Sequence, residues 1–567
     1  MQDHPHTLSL RQTVAREPGN FQAWVMLSDA ELDAGQLQAG AQAAQRALHL
    51  RPGHPEALAR LGRAHWQGGQ PVQAAALLRQ ASQAAPGHPG IALWLGHALE
   101  DAGPENAEAA AQAYRRAHQL APGEPYIAAH LLNWQRRLCD WSNLEALSQQ
   151  ARQAVARGDA SIEPFAFLSE PASAAEQRAC ASLRARALGA PPTRPASPAE
   201  RQRPGVLRLG WLSNGFGNHP TGLLTVALAE ALAGLADVQL HLFATTADDH
   251  STISQRLSAA ARLHRVHGQS HAAIAAYIRQ QQIDVLFDLR GWGGGGTPEV
   301  LALRPAPVQV NWLAYPGTSG APWMDWILAD EFVLPAADEA GFSERVMRLP
   351  HAFQPSDTAR PQPAPPSRKE CGLPEQAVVF CCFNNSYKIN PRSFARLMAV
   401  LHGVKDSVLW LLSGPGQANA RLQAAAAAAG IAPQRLVFMD KLPHQQYLAR
   451  YALADLFLDT SPYNAHTTAS DALWSGCPVL TTPGQTFADR VAGSLNHHLG
   501  LAQMNRSDDA DFIATAIALG NDAQARARLR QQLQQQRQHG RLFDMQQFAR
   551  DFASASWQMY DASTTTT

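Results

Sequence analysis

The chain has little cysteine, little charge and no long apolar run. Its six cysteines, Cys139, Cys180, Cys371, Cys381, Cys382 and Cys477, are spread over 567 residues without a CxxC pair. This excludes a disulfide framework and reads as the reduced, buried thiols of a cytoplasmic protein. Charged residues make up 17% of the chain, against about 25% in ordinary globular domains. Lys plus Arg (47) equals Asp plus Glu (47), so the formal charge is zero. That balance excludes a broad basic surface for nucleic acid and an electrostatic membrane anchor. The opening Met1-Gln2-Asp3-His4 carries no basic leader, and no run of about 18 apolar residues occurs, so neither an export signal nor a spanning helix is expected. What is present is ample core: 46% apolar residues and 13 Trp, in a length that implies three or four domains of roughly 150 residues each.

Pro-Gly pairs recur at Pro18-Gly19, Pro52-Gly53, Pro86-Gly87 and Pro122-Gly123, at intervals of 34, 34 and 36 residues. Between them one skeleton returns: Leu61-Gly62, Ala74, Leu78, Ala81, Pro86, then Leu95-Gly96, Ala110, Tyr114, Ala117, Pro122. Small residues where two helices cross, with a proline opening the next turn, describe helical hairpins that stack into a superhelix of tetratricopeptide type. The two extra residues of the third unit fall at Gly103-Pro104-Glu105, inside a turn. Such an arm serves either as a groove for protein or peptide or as a scaffold that rigidifies or dimerises the remainder of the chain. Periodicity does not choose between them. Four prolines between Ala190 and Pro198 then mark a linker.

After the linker, apolar runs of strand length alternate with helical segments. The first set is Val206–Leu212, Val238–Phe243, Ile283–Asp288 and Val308–Leu313; the second is Val378–Phe383, Val408–Leu412, Leu436–Met439, Leu456–Leu458 and Val479–Thr481. Each set predicts a parallel, doubly wound sheet, with ligands at the carboxyl ends of the strands. The expected domains are therefore 1–140 (repeats), 141–204 (helical and Pro-rich junction), 205–370 and 371–560 (two Rossmann-like halves).

The strand-end loops carry the candidate chemistry. Lys388 stands just past the first strand of the second half, where its ammonium would meet a phosphate. His466-Thr467-Thr468 open a helix, offering hydroxyls and unpaired amides to a diphosphate, and Asp471, one turn on, suits ribose hydroxyls. Asp509 and Asp511 read as an exposed helix start rather than a metal site, and Gly293–Gly296 as a flexible loop without dinucleotide spacing. No His, Cys or carboxylate cluster shows metal-ligand spacing, which predicts a metal-free active site.

Gly217-Asn218-His219-Pro220-Thr221, the run Leu303 to Gln309, Tyr315-Pro316-Gly317-Thr318-Ser319-Gly320-Ala321, Tyr387-Lys388-Ile389, and His466-Thr467-Thr468 with Asp471-Ala472-Leu473-Trp474 together resemble the O-linked N-acetylglucosamine transferases, glycosyltransferase family 41. The resemblance runs from the repeats to about residue 560 and is greatest to short bacterial members. It implies a GT-B fold and inverting, metal-independent transfer of N-acetylglucosamine from UDP to Ser or Thr hydroxyls of proteins, with no cofactor. It also assigns positions. Lys388 matches the lysine on the diphosphate; His466, Thr467 and Thr468 match the helix start holding it; Asp471 matches the ribose carboxylate. Arg450 falls near the uracil, Pro316 in the sugar pocket, Tyr387 beside the lysine, and His219 on a histidine that acts as base or positions donor and acceptor. Two positions depart: Asn385 replaces a glutamine beside the donor, and Tyr463 a cysteine near the N-acetyl group. Relatives of this architecture use GDP-fucose or UDP-glucose, so another nucleotide sugar is the alternative; a repeat scaffold with a nucleotide-sensing module is a third.

Overall fold

A computed structural model describes residues 5–189 and 204–564. The linker Ala190–Pro198 and most of the Thr564–Thr567 tail lie outside them. The chain divides into two compact units: residues 1–151 together with Gly414–Leu422, and residues 152–413 together with 423–567.

The first unit is a stack of antiparallel helices: α1 (Pro5–Arg16), α2 (Phe21–Asp33), α3 (Leu37–Leu50), α4 (Pro55–Gln67), α5 (Pro71–Ala84), α6 (Pro89–Ala102), α7 (Ala107–Leu120), α8 (Pro125–Arg137) and α9 (Leu144–Ala156), which runs on past residue 151. The repeat skeleton works as the spacing predicts. A Cβ at Gly62 would meet Leu78 Cγ at 2.7 Å and one at Gly96 the Tyr114 ring at 2.6 Å, so each large side chain seats on bare backbone. The extra residues of the third repeat form a short turn, Pro104–Asn106, after Gly103 at φ 133°. Helix α1, ahead of the first repeat, was not expected from the period; Leu10 and Val14 bury it against Ala23 and Leu27.

The second unit holds two all-parallel sheets. The first runs β3 (Arg262–Arg265), β2 (Val238–Ala244), β1 (Leu207–Ser213), β4 (Val285–Asp288), β5 (Val308–Asn311), β6 (Trp326–Asp330), β7 (Arg345–Leu349). The second runs β10 (Leu436–Met439), β9 (Ser407–Leu412), β8 (Val378–Cys382), β11 (Leu456–Leu458), β12 (Val479–Leu480). Both reverse strand order at one point, between β1 and β4 and between β8 and β11, where doubly wound sheets open a crevice. Strands β3, β6 and β7 escaped the sequence reading. Arg262–Arg265 and Arg345–Leu349 are partly exposed edge strands without a continuous apolar run, and Trp326–Asp330 follows β5 without an intervening long helix.

The domain limits change in one respect. The helix Met545–Thr564, expected within the second half, packs instead on the first sheet: Phe552 lies 4.8 Å from Phe287 and 4.9 Å from Trp312, ring to ring, and Met545, Phe548 and Met559 share that core. Asp330, at the end of β6, accepts from the amides of Phe332, Val333 and Phe353 and from Ser494 Oγ at 2.7 Å, joining the two halves. Five of the six thiols, all but Cys371, are buried. Burial pushes Cys139, Cys180 and Cys382 each up to about 12.

Candidate active site

The segments after β1, β4, β8 and β11, the four strands that flank the two reversals, bear most of the candidate residues; Pro316 follows β5 and Arg450 follows β10. On the second half, Asn385 opens a short turn, Ser386–Lys388, that brings Lys388 back over the sheet end. Asn385 itself is exposed. Lys388 is 8% exposed, donates from Nζ to the Asn464 carbonyl at 2.8 Å, and stands 3.8 Å over the Tyr463 ring. Desolvation lowers its pKa to about 7, against the opposing pull of Asp459. Asp459 is spoken for: it accepts from the amides of Thr460 and Ala465, from Asn384 and from Thr481 Oγ1, and so shapes the loop Thr460–His466. Lys388 is thus a buried cation stabilised by one carbonyl and one ring face, well short of what an ammonium asks for.

That loop ends at His466, which precedes the helix Thr467–Trp474. His466 Nε2 donates to the Ala488 carbonyl at 3.0 Å, fixing the ring, and burial followed by the nearby Lys388 charge holds it well below the usual histidine range. Thr467 and Thr468 are half-buried at the first turn, whose amides have no partner inside the helix. The helix start thus follows directly on the His466 ring, which feels the Lys388 charge. Tyr463 is buried, with Tyr387 at 6.0 Å, His466 at 5.0 Å and Phe165 at 6.1 Å between ring centroids. Tyr315 and Leu168 complete this apolar wall, and Pro316 follows Tyr315 in the buried stretch.

On the first half, His219 precedes the helix Pro220–Leu232 and its Nδ1 accepts from the Thr221 amide at 3.2 Å. Its Nε2 lies 3.4 Å from Arg290 Nη1. Both neighbours are donors, whereas a neutral imidazole has a single lone pair. Burial first and Arg290 second push His219 down to about 4, so the ring is neutral near pH 7. Arg290, two residues past β4, also donates to the Gly294 carbonyl, and the Asn214 amide reaches the same oxygen at 3.2 Å. The four-glycine loop is therefore tethered at its second glycine rather than unattached. Arg290 was missed from sequence. Its distance from the end of β4, at a reversal, was the available signal.

Asp471 is placed differently from its neighbours. Its carboxylate accepts from Arg360 Nη1 at 2.6 Å and faces His444 Nε2 at 3.1 Å; Asp471 and Arg360 are buried and His444 is half-buried. Arg450, on the helix His444–Tyr451, donates to the Gln446 carbonyl of its own helix. Asp509 and Asp511 begin a helix capped by Asp508 and pair with Arg392 and Arg506, as an exposed helix start would.

Comparison with known proteins adds three findings. The family model described as glycosyl transferase family 41 matches residues 188–363 and 363–552, and tetratricopeptide-repeat models match 31–79 and 59–125. A curated Arabidopsis thaliana protein, "Probable UDP-N-acetylglucosamine--peptide N-acetylglucosaminyltransferase SEC", is 32% identical over 456 residues, covering 76% of this chain and 46% of its own. A Caenorhabditis elegans UDP-N-acetylglucosamine--peptide N-acetylglucosaminyltransferase is 26% identical, covering 75% and 48%. The chain spans about half the length of the curated relatives it matches. Among solved structures, a point mutant of the Thermobaculum terrenum O-GlcNAc transferase superposes with a TM-score of 0.69 at 25% identity, covering 96% of this chain and 98% of that one.

Proposed function

The chain belongs to glycosyltransferase family 41, and from that premise we propose that it transfers N-acetylglucosamine from UDP-N-acetylglucosamine to Ser or Thr hydroxyls of proteins, with inversion and without a metal. One observation carries this reading: a buried lysine without a carboxylate partner, close to the histidine that opens a helix. The diphosphate takes the amides and hydroxyls of Thr467 and Thr468 and supplies the anion that Lys388 lacks. The acceptor oxygen attacks the anomeric carbon from the side of His219 while the bond to the diphosphate breaks, and the hydroxyl proton leaves to water. Lys388 offsets the charge that gathers on departing UDP, the work a divalent ion does in metal-dependent transferases.

His219, whose single lone pair is sought by both the Thr221 amide and the Arg290 guanidinium, orients acceptor and donor more readily than it accepts a proton. Asp471 holds the diphosphate helix through Arg360 and presents its remaining lone pairs to the ribose. Arg450, Asn385, Tyr387 and Pro316 border uracil, donor and sugar. The arm receives the protein acceptor.

A second reading, transfer of glucose or another sugar without an N-acetyl group, is favoured by Tyr463, whose buried ring occupies the position beside Lys388. The test is a transfer assay on a peptide mixture with UDP-N-acetylglucosamine, UDP-glucose and GDP-fucose, each with and without EDTA. Modification by the first donor, unchanged by EDTA, is expected. Product with another donor alone overturns the sugar, and a loss in EDTA that Mg2+ or Mn2+ restores overturns metal independence.

A further inference from the structure

The repeat arm contains a cluster that sequence spacing concealed. His97 and Glu100 lie three residues apart on α6 and His130 on α8, and their ligating atoms all lie within 4.8 Å of one another. The expectation that no His or carboxylate cluster has metal-ligand spacing is thereby corrected: two of the three residues form an i, i+3 pair and the third comes from the next hairpin. Among the described residues this is the one such group with three members. It is remote in sequence from every strand-end loop of the transfer site.

The surroundings have the organisation of a ligand shell. His97 Nδ1 lies 2.8 Å from Tyr114 Oη, and Tyr114 Oη donates to Glu100 Oε2 at 2.8 Å. Because the tyrosine proton is committed to the carboxylate, the contact with His97 requires an N–H on Nδ1, which puts the lone pair on Nε2, where a metal would displace the long contact with Tyr126 Oη. A metal-bound histidine is commonly fixed in this way by a second hydrogen bond from its other nitrogen. Trp66 stacks on His97 at 5.0 Å and Tyr114 on His130 at 5.2 Å, holding both imidazole planes. His97 is buried, whereas Glu100 and His130 are half-buried, so the cluster lies at the edge of the core rather than sealed within it. The neighbours on the other side are Tyr126 Oη, 3.4 Å from His97 Nε2, and Arg137 Nη1, 3.8 Å from Glu100 Oε1.

We propose that His97, Glu100 and His130 bind a divalent transition metal of the zinc class, tying helix α6 to helix α8 across two successive repeats. Two imidazoles and one carboxylate suit zinc, cobalt or nickel, whereas magnesium prefers an all-oxygen shell. Three protein ligands leave at least one position open to water or to a side chain lying on this face of the arm.

The test uses the full chain, stripped with a chelator and titrated with Co2+ by visible absorption, with Zn2+ and Mg2+ as competitors. One Co2+ per chain is expected, displaced by Zn2+ and unaffected by Mg2+, with a rise in the arm's melting temperature. Glu100→Gln and His130→Gln should each weaken binding at least tenfold. Tyr114→Phe should keep the stoichiometry and weaken affinity about 10–100-fold by freeing the His97 ring. His130→Cys should add a thiolate-to-cobalt charge-transfer band, a gain of signal that misfolding cannot imitate. Absence of a saturable Co2+ band in the parent chain, equal affinity in the Gln variants, or no thiolate band in His130→Cys overturns the proposal.

Discussion

Lys388 makes the transfer site accountable to pH. Its ammonium is buried with a single hydrogen bond, and desolvation brings its pKa to about 7. On the proposed function a diphosphate would supply the missing anion and raise that pKa, so binding would draw a proton whenever the free lysine has lost its own. With a free pKa of about 7, about one lysine in ten is charged at pH 8, and affinity for a nucleotide sugar should fall about tenfold between pH 6 and pH 8, or about 1.4 kcal/mol. About 0.9 proton should enter per ligand bound at pH 8. The ligand must be a nucleotide sugar, because the terminal phosphate of free UDP titrates near pH 6 itself. Calorimetry in two buffers of different ionisation enthalpy reads the proton directly. Lys388→Arg, charged throughout, should give a flat profile, and Lys388→Met a flat and weaker one. Without ligand the sign reverses into a cost. The lysine's folded pKa lies below its unfolded value, so the buried charge destabilises the protein fully below pH 7 and less as pH rises toward 10.5. Lys388→Met should accordingly melt higher than the parent at pH 6. A parent Kd that does not change from pH 6 to pH 8, or a slope that survives in Lys388→Met, refutes the assignment.

Other expectations rest on the same geometry. Asp471→Asn leaves the buried Arg360 guanidinium without its anion and should cost about 3–5 kcal/mol in denaturant unfolding; a loss under 1 kcal/mol would mean the pair is solvated. Gly96→Ala drives a Cβ to 2.6 Å from the Tyr114 ring and should destabilise the arm by about 1–3 kcal/mol, read as a lower melting temperature. Arg290→Met should raise the His219 pKa, followed by NMR, yet leave it below 6.5 because burial is the larger cause; an unchanged value would exclude the charge as a contributor.

The repeat arm was the most legible region, since its proline-glycine period and its small residues at helix crossings are local features that stacking cannot disguise. Nine strands were likewise visible as apolar runs. The three that were not, β3, β6 and β7, lack either a buried run or the helix that separates a parallel strand from its predecessor. At the site, Lys388, His466, Thr467 and Thr468 were legible because strand-to-helix junctions present them together. Arg290 and Arg360 were not, since each acquires its meaning from a partner far along the chain, His219 in one case and Asp471 in the other. The same is true of Tyr114: its sequence role is a helix-crossing residue, and the relay from His97 to Glu100 emerges only when α6 and α7 pack.

The helix Met545–Thr564 has a consequence for the order in which the protein is made. Phe548, Phe552 and Met559 fill the core around Trp211, Phe287 and Trp312, residues translated more than two hundred positions before them. While the second half emerges from the ribosome, the first sheet waits with one apolar face uncovered, a state open to aggregation or to chaperones. Synthesis that stalls after residue 540 would thus leave the first half incomplete, and a nascent-chain protease assay should find it cleavable until residues 545–560 have been added.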